Sequence, residues 1–276
     1  GYDGSAGIGS GSHSTGYTHI TLHDGVTVKA TGGGDSSHGG GGGAGIGSGD
    51  RAKGNTDILI KGATKVTAKG GSTAAGIGSG NGSNGSTIIN IEGGTITAEG
   101  GGKENGSCQA SGAGIGSGGN ALNKTTINIK GGEITATGGV SLDSRNHSDK
   151  WLSGAGIGSG SNVSGETEIN ISGGTIKSAS GGKYGGAGIG SGSYSGSKPN
   201  NQKGAVTIEI TDGTIKEATG GGEYVPSSKR WYSGAGIGAG LNAGTTTINI
   251  KDNAHIVSAT GGKYGGAGIG SGSGDT

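Results

Sequence analysis

The sequence predicts an all-β chain folded as a right-handed parallel β-helix, a β-solenoid of about seven coils. Three observations carry this. The hexapeptide Ala6-Gly7-Ile8-Gly9-Ser10-Gly11 recurs from Ala44, Ala75, Ala113, Ala155, Ala187, Ala235 (with Ala239 in the serine slot) and Ala267. A second block lies between the copies, as in Thr125-Thr126-Ile127-Asn128-Ile129-Lys130-Gly131-Gly132-Glu133-Ile134-Thr135-Ala136. No segment has helical apolar periodicity. Repetition at a period of tens of residues marks units that bury their apolar faces only against their neighbours. Identical units in a fixed order bring each strand over its counterpart, and parallel coils of this kind turn right-handed.

Composition agrees. The 276 residues include 75 Gly, no Phe and no Met, and 27% are hydrophobic, so a broad globular core is excluded. Such glycine content suits disorder, but the apolar residues recur in register and are mostly Ile, a strand former. We read residues 1–276 as one β-helix domain cut from a longer array, with both ends passing through the repeat.

One unit reads as strand, Gly-rich turn, strand, Gly-Gly, variable loop, hexapeptide, variable loop. Period-two alternation sets the faces. Thr125, Ile127 and Ile129 share the inner face of the first strand, and Val206 in the threonine slot marks that slot as at least partly buried. His19, Leu59, Asn90, Asn128, Asn170, Glu209 and Asn249 form an outer polar row. The second strand buries Ile96, Ile134, Ile176, Ile215 and Ile256, and its variable length predicts bulges. In the hexapeptide, Ala155, Ile157 and Ser159 point inward. Gly156, Gly158 and Gly160 then leave a bare backbone strip outside, suited to close docking. Ser48, Ser79, Ser117, Ser159 and Ser191 form an inward ladder bonded to each other or to carbonyls, since a buried hydroxyl must find a partner.

The Ala-Gly-Ile-Gly-Ser-Gly copies, each preceded by a Thr-Ile-Thr-Ala-x-Gly-Gly-like run, resemble Gly-rich repeat regions of large secreted surface proteins from Gram-positive bacteria. The resemblance covers essentially the whole chain. It implies a parallel β-helix, an extracellular cell-surface setting and an adhesive or carbohydrate-binding role, and it carries over no catalytic residues. The same fold serves polysaccharide lyases, phage tail fibres and autotransporter stalks.

Several chemistries are weighed on the residues. Net charge is +1, from 20 basic and 19 acidic residues, which lacks the footprint of a nucleic-acid binder. Cys108 stands alone, so no disulfide or cysteine-based zinc site forms within one chain. No membrane-length apolar run is present. The Gly-x-Gly spacing lacks the following helix of a dinucleotide site. Asp24, Asp212 and Asp252 sit at equivalent turns; repeated aspartates hold calcium in Gly-rich β-rolls, but a turn role explains these better. His13, His19, His23, His38, His147 and His255 read as solvated polar residues. Asp143, Arg145, Asp149 and Lys150 form the one dense charged group, which a solvated loop explains.

The loops before the hexapeptide carry most aromatics, in matching slots. Trp151 and Trp231 lie four residues before Ala155 and Ala235; Tyr184, Tyr232 and Tyr264 lie three before theirs. Lys150, Lys183, Arg230 and Lys263 accompany them. Stacking predicts a ligand-binding edge of these nine residues, with rings facing sugar C–H groups and cations bonding hydroxyls or acidic sugars. The competing account makes the rings props for long loops. The resulting expectation is a non-enzymatic cell-surface module, part spacer and part adhesin, that binds polysaccharide or host glycan and self-associates through the glycine face or the solenoid ends. It has no cofactor, metal, nucleic-acid partner or membrane span. The alternatives are a β-helix carbohydrate-active enzyme, of lyase or glycoside hydrolase type, and a purely structural stalk.

Overall fold

The computed structural model describes residues 4–34, 41–102, 110–143, 150–195, 202–226 and 229–274. Cys108, His38, His147, Arg145 and Asp149 lie outside them, as do the side chains of Asp143 and Lys150. Among the described residues there is no α-helix. Two parallel sheets run the length of a solenoid. One contains eight two-residue rungs, Ile8–Gly9, Ile46–Gly47, Ile77–Gly78, Ile115–Gly116, Ile157–Gly158, Ile189–Gly190, Ile237–Gly238 and Ile269–Gly270, stacked in sequence order. The register is unbroken, Ile on Ile and Gly on Gly.

The second sheet stacks the longer strands Thr18–Leu22, Thr56–Ile60, Thr87–Glu99, Thr125–Thr137, Thr167–Ser180, Val206–Ile215 and Thr246–Ile250. Shorter strands such as Thr27–Thr31 and Lys65–Lys69 continue the coils whose second half is separate. Six steps separate these seven rungs, so the solenoid has about six turns, slightly fewer than the seven coils expected.

Inward and outward faces fall where alternation put them. Ile58, Ile89, Ile127, Ile169 and Ile208 form a buried column that meets the hexapeptide isoleucines across one continuous core. Ile96, Ile134, Ile176 and Ile215 are buried in the second half, whereas Ile256 is half-buried. The expected bulge is present: Ile134 faces Ile176 but Thr135 faces Ser178, which makes Lys177 the extra residue. One outer residue was misplaced. His19 pairs with Asp57, and Thr21 is the member of the row holding Leu59 and Asn90. In that row Asn128 Nδ2 donates to Asn90 Oδ1 (2.9 Å) and Asn170 Nδ2 to Asn128 Oδ1 (3.0 Å).

The hexapeptide corrects the expectation most. Its residues do not form an alternating strand with one bare side. In the fifth copy the Ala155 amide donates to the Ser159 carbonyl (3.0 Å), closing the peptide into an arc, and the other copies do the same. The arc needs a residue near φ +136° at Gly158, with its seven equivalents between +134° and +140°. Only glycine holds that backbone without strain. A Cβ there would also stand 1.8 Å from the Gly190 carbonyl oxygen of the next coil. Gly156 and Gly160 are equally buried against neighbouring backbone. The predicted exposed glycine strip is therefore absent from the inner copies, and only the first copy leaves Gly7, Gly9 and Gly11 exposed.

The serine ladder is inward as expected, but its bonds differ. Each Oγ accepts from the backbone amide of the next coil: Gly80 N–H to Ser48 (3.1 Å), Gly118 to Ser79 (3.0 Å), Gly160 to Ser117 (3.1 Å), Gly192 to Ser159 (3.1 Å) and Gly240 to Ser191 (2.8 Å). At the last rungs Ile250 and Ile269 are exposed.

Ion pairs cross between coils on the outer face. Lys124 Nζ lies 2.7 Å from Glu168 Oε2. The hydrogen bond from Lys124, then that from Asn170, holds the Glu168 carboxyl below the usual carboxylate range, and the same contact raises Lys124. A carboxyl lowered on folding stabilises the fold above its unfolded pKa and loses that contribution as pH falls through the folded value. Thermal melts of the parent and Glu168→Gln should therefore differ at neutral pH and converge on acidification below the carboxylate range. A pH-independent difference would contradict this.

Two substitutions in one coil should behave oppositely. The Thr167 hydroxyl is buried with no partner, and Val206 fills the adjacent slot. Thr167→Val should be neutral or stabilising by about 1 kcal/mol, because it removes an unpaired buried hydroxyl. Gly158→Ala should cost more than about 3 kcal/mol or abolish folding, since backbone must move. Urea unfolding of the two variants measures both.

Candidate functional site

Two β-hairpins stand off the solenoid just before hexapeptides. The first pairs Val140–Asp143 with Lys150–Ser153, placing Leu142 opposite Trp151. The second pairs Gly222–Val225 with Arg230–Ser233, placing Tyr224 opposite Trp231, and Ser273–Gly274 adds a third strand. Serine ties the base of each hairpin to the next coil. The Ser153 hydroxyl accepts from the Tyr184 amide (2.9 Å). The Ser233 hydroxyl donates to the Gly262 carbonyl and accepts from the Gly266 amide, both 2.8 Å.

The aromatic residues of the expected edge come together in two groups. Trp151, Tyr184 and Tyr232 come from three successive coils and form a satellite core with Val225 and Leu241. The Trp151 and Tyr184 rings meet edge-on at 4.4 Å, and Tyr184 and Tyr232 at 6.2 Å. Tyr184 is 4% exposed and Tyr232 is 8%. Both rings are packed between the hairpins. Trp151 is half-buried, with its indole nitrogen enclosed and unpaired.

The other part faces solvent. Trp231 is flanked by Tyr224 of its own hairpin (4.1 Å) and Tyr264 of the next coil (4.0 Å). Trp231 and Tyr264 are 37% and 38% exposed. The Lys263 ammonium lies 5.2 Å from the Tyr264 ring centre and Lys183 lies 5.0 Å from that of Tyr184. Arg230 and Lys263 are exposed; the Lys150 side chain lies outside the described residues. Tyr224 escaped the sequence reading. The run Gly222-Glu223-Tyr224-Val225 before Arg230-Trp231-Tyr232-Ser233 carries the hairpin signal that would have paired it with Trp231. Tyr194 was also missed. It is buried, its hydroxyl donates to the Val163 carbonyl, and burial pushes its phenol well above the usual tyrosine range.

The remaining candidates find local partners. Asp24 Oδ1 accepts from the Ala63 amide (2.7 Å) and Asp212 Oδ1 from the Gly213 amide (2.6 Å), while Asp252 takes a left-handed turn conformation. Asp24 thus bonds to the next coil and Asp212 to the glycine that follows it in its own strand, while Asp252 alone takes the left-handed turn conformation. His19 Nδ1 contacts Asp57 Oδ2 at 3.2 Å. No group of three or more metal-ligating side chains occurs among the described residues. No described helix is long and apolar enough to cross a membrane.

A solenoid of stacked parallel rungs with side loops defines a class of repeat protein, and the sequence comparison places the chain within it. The family model for the beta helix repeat matches residues 58–81, 89–119, 127–161, 169–193 and 208–241, just over half of the chain, which belongs to that family. The five matches begin at Ile58, Ile89, Ile127, Ile169 and Ile208, the column of isoleucines that stack in register. No curated protein and no solved structure matches the chain.

The two tyrosines of the identical Lys-Tyr-Gly-Gly loops should respond differently. Tyr184→Ala should cost about 3–5 kcal/mol, as for other buried aromatic truncations. Tyr264→Ala should cost about 1 kcal/mol, the worth of an exposed ring pair. Denaturant titration of both distinguishes them, and equal costs would show that the two loops pack alike.

Proposed function

We propose that this chain is a non-enzymatic module of a secreted bacterial cell-surface protein, serving as a rigid spacer that contacts polysaccharide along its hairpin edge. The carrying observation is the division of labour in each coil. The two-residue hexapeptide rungs stack in unbroken register, while the most variable segments lie in the loops. Binding in repeat proteins concentrates in such loops on a rigid scaffold. The half-exposed rings of Trp231 and Tyr264, joined by Tyr224 and flanked by Arg230 and Lys263, supply apolar edges beside hydrogen-bond donors, a combination suited to sugars. Tyr184 and Tyr232 hold the hairpins in place for that contact.

The test is a glycan array probed with the whole chain and with Trp231→Ala, folding being followed by circular dichroism. Polysaccharide hits for the parent, weakened about tenfold or more in the variant at unchanged fold, are expected for loss of a central ring. Hits that survive the substitution would move the contact elsewhere. A parent with no hits would leave the spacer role alone.

A further inference from the structure

The corner of the coil that carries the hairpins has a second surface, far from Trp231. A groove of about 290 Å³ crosses the first three coils there. Thr31, Lys69 and Glu99 line it at the ends of their strands, in register on successive coils. Beyond the glycines that follow, Gly34, Ser72 and Gly102 line it too. Resting on the polysaccharide reading, we propose that this groove seats a short neutral segment of the polysaccharide, with two adjacent ring hydroxyls bonded to Lys69 and Glu99.

Three observations carry the choice. The first is shape. Three residues after the strand end, the first three coils have Gly34, Ser72 and Gly102, and the fourth has Val140, where the first hairpin begins. A Cβ on Gly102 would stand 2.1 Å from the Val140 carbonyl oxygen, so that hairpin walls off one end of the groove. Two coil steps, roughly 10 Å, give the groove the length of a short run of sugars. The second is the ion pair. Lys69 Nζ lies 2.7 Å from Glu99 Oε1, close to the separation of neighbouring hydroxyl oxygens on a pyranose ring. An ammonium only donates and a carboxylate only accepts. One hydroxyl of a vicinal diol can therefore accept from Lys69 while the next donates to Glu99. Both side chains are about half exposed. Such a pair is worth less than about 1 kcal/mol, so parting it to admit the diol costs little. The third is the chemistry of the lining. It holds no apolar side chain, and its one cation and one anion cancel. That composition suits hydroxyl groups better than an apolar peptide or a strongly charged polymer.

An array of neutral and acidic glycans, probed with the whole chain and with Glu99→Ala, Ser72→Trp and Trp231→Ala, tests this. Glu99→Ala removes the acceptor from an exposed position, and Ser72→Trp fills the groove. The parent should retain neutral glycans, with affinity little changed by high salt, because an uncharged ligand leaves no charge pair to screen. Each groove variant, with an unchanged circular dichroism spectrum, should bind them about tenfold more weakly or worse, as expected for loss of a charge-assisted hydrogen bond. Mild periodate cleavage of the vicinal diols on the array should abolish the same hits. Neutral hits that survive in both folded groove variants but fall in Trp231→Ala would overturn the groove and leave the polysaccharide reading at the hairpin edge intact. Hits confined to acidic glycans, or unchanged by periodate, would overturn the diol contact. A parent with no hits would remove both readings.

Discussion

The solenoid depends on the absence of one atom. At the fourth residue of every hexapeptide but the last, the next coil's carbonyl oxygen occupies the place of a Cβ; at Gly158 the gap would be 1.8 Å. That approach lets the arc close through its own Ala-to-Ser hydrogen bond and lets coils pair at the spacing of a parallel sheet. The inward isoleucines and the serine amide acceptors are brought into register by it. Glycine lowers the stability of most strands by its freedom in the unfolded chain. Here it permits a contact no other residue allows, and the isoleucine columns provide the offsetting burial.

The edge depends on the same scaffold. Identical Lys-Tyr-Gly-Gly loops reach different ends. Tyr184 lies between Trp151 of one hairpin and Tyr232 of the other and is enclosed. Tyr264 meets Trp231, remains half exposed and adopts φ +86°. For a bulky residue that is an unusual conformation, held by its surroundings. With the same local sequence, the neighbouring coil decides both the backbone at the tyrosine and whether its ring is enclosed or exposed.

Much of the fold was legible because strand periodicity reports directly on burial. Val206 in the slot of Thr167 announced an inner position, and the variable length of the second strand announced a bulge, which the structure places at Lys177. The hexapeptide misled because alternating glycine also reads as one face of a strand. Sequence does not show that Ala155 bonds to Ser159, nor that the glycines meet backbone rather than solvent. The edge was half legible. Its slots were visible in the spacing before each hexapeptide. The enclosure of Tyr184 and Tyr232 depends on contacts across three coils, and the pairing of Tyr224 with Trp231 depends on hairpin register.

The direction of the ladder bonds has a mechanical consequence. The Ser–Gly bonds, the Asn ladder and the sheet hydrogen bonds all join one coil to the next, so they lie along the solenoid axis. Tension applied between the two ends loads them one coil at a time, as in peeling, rather than many together, as in shear. Each released coil frees its 31 to 48 residues, or roughly 100–170 Å of extended chain. Stretched between two anchoring points, the molecule would lengthen in discrete steps, yielding slack while the remaining coils keep their shape.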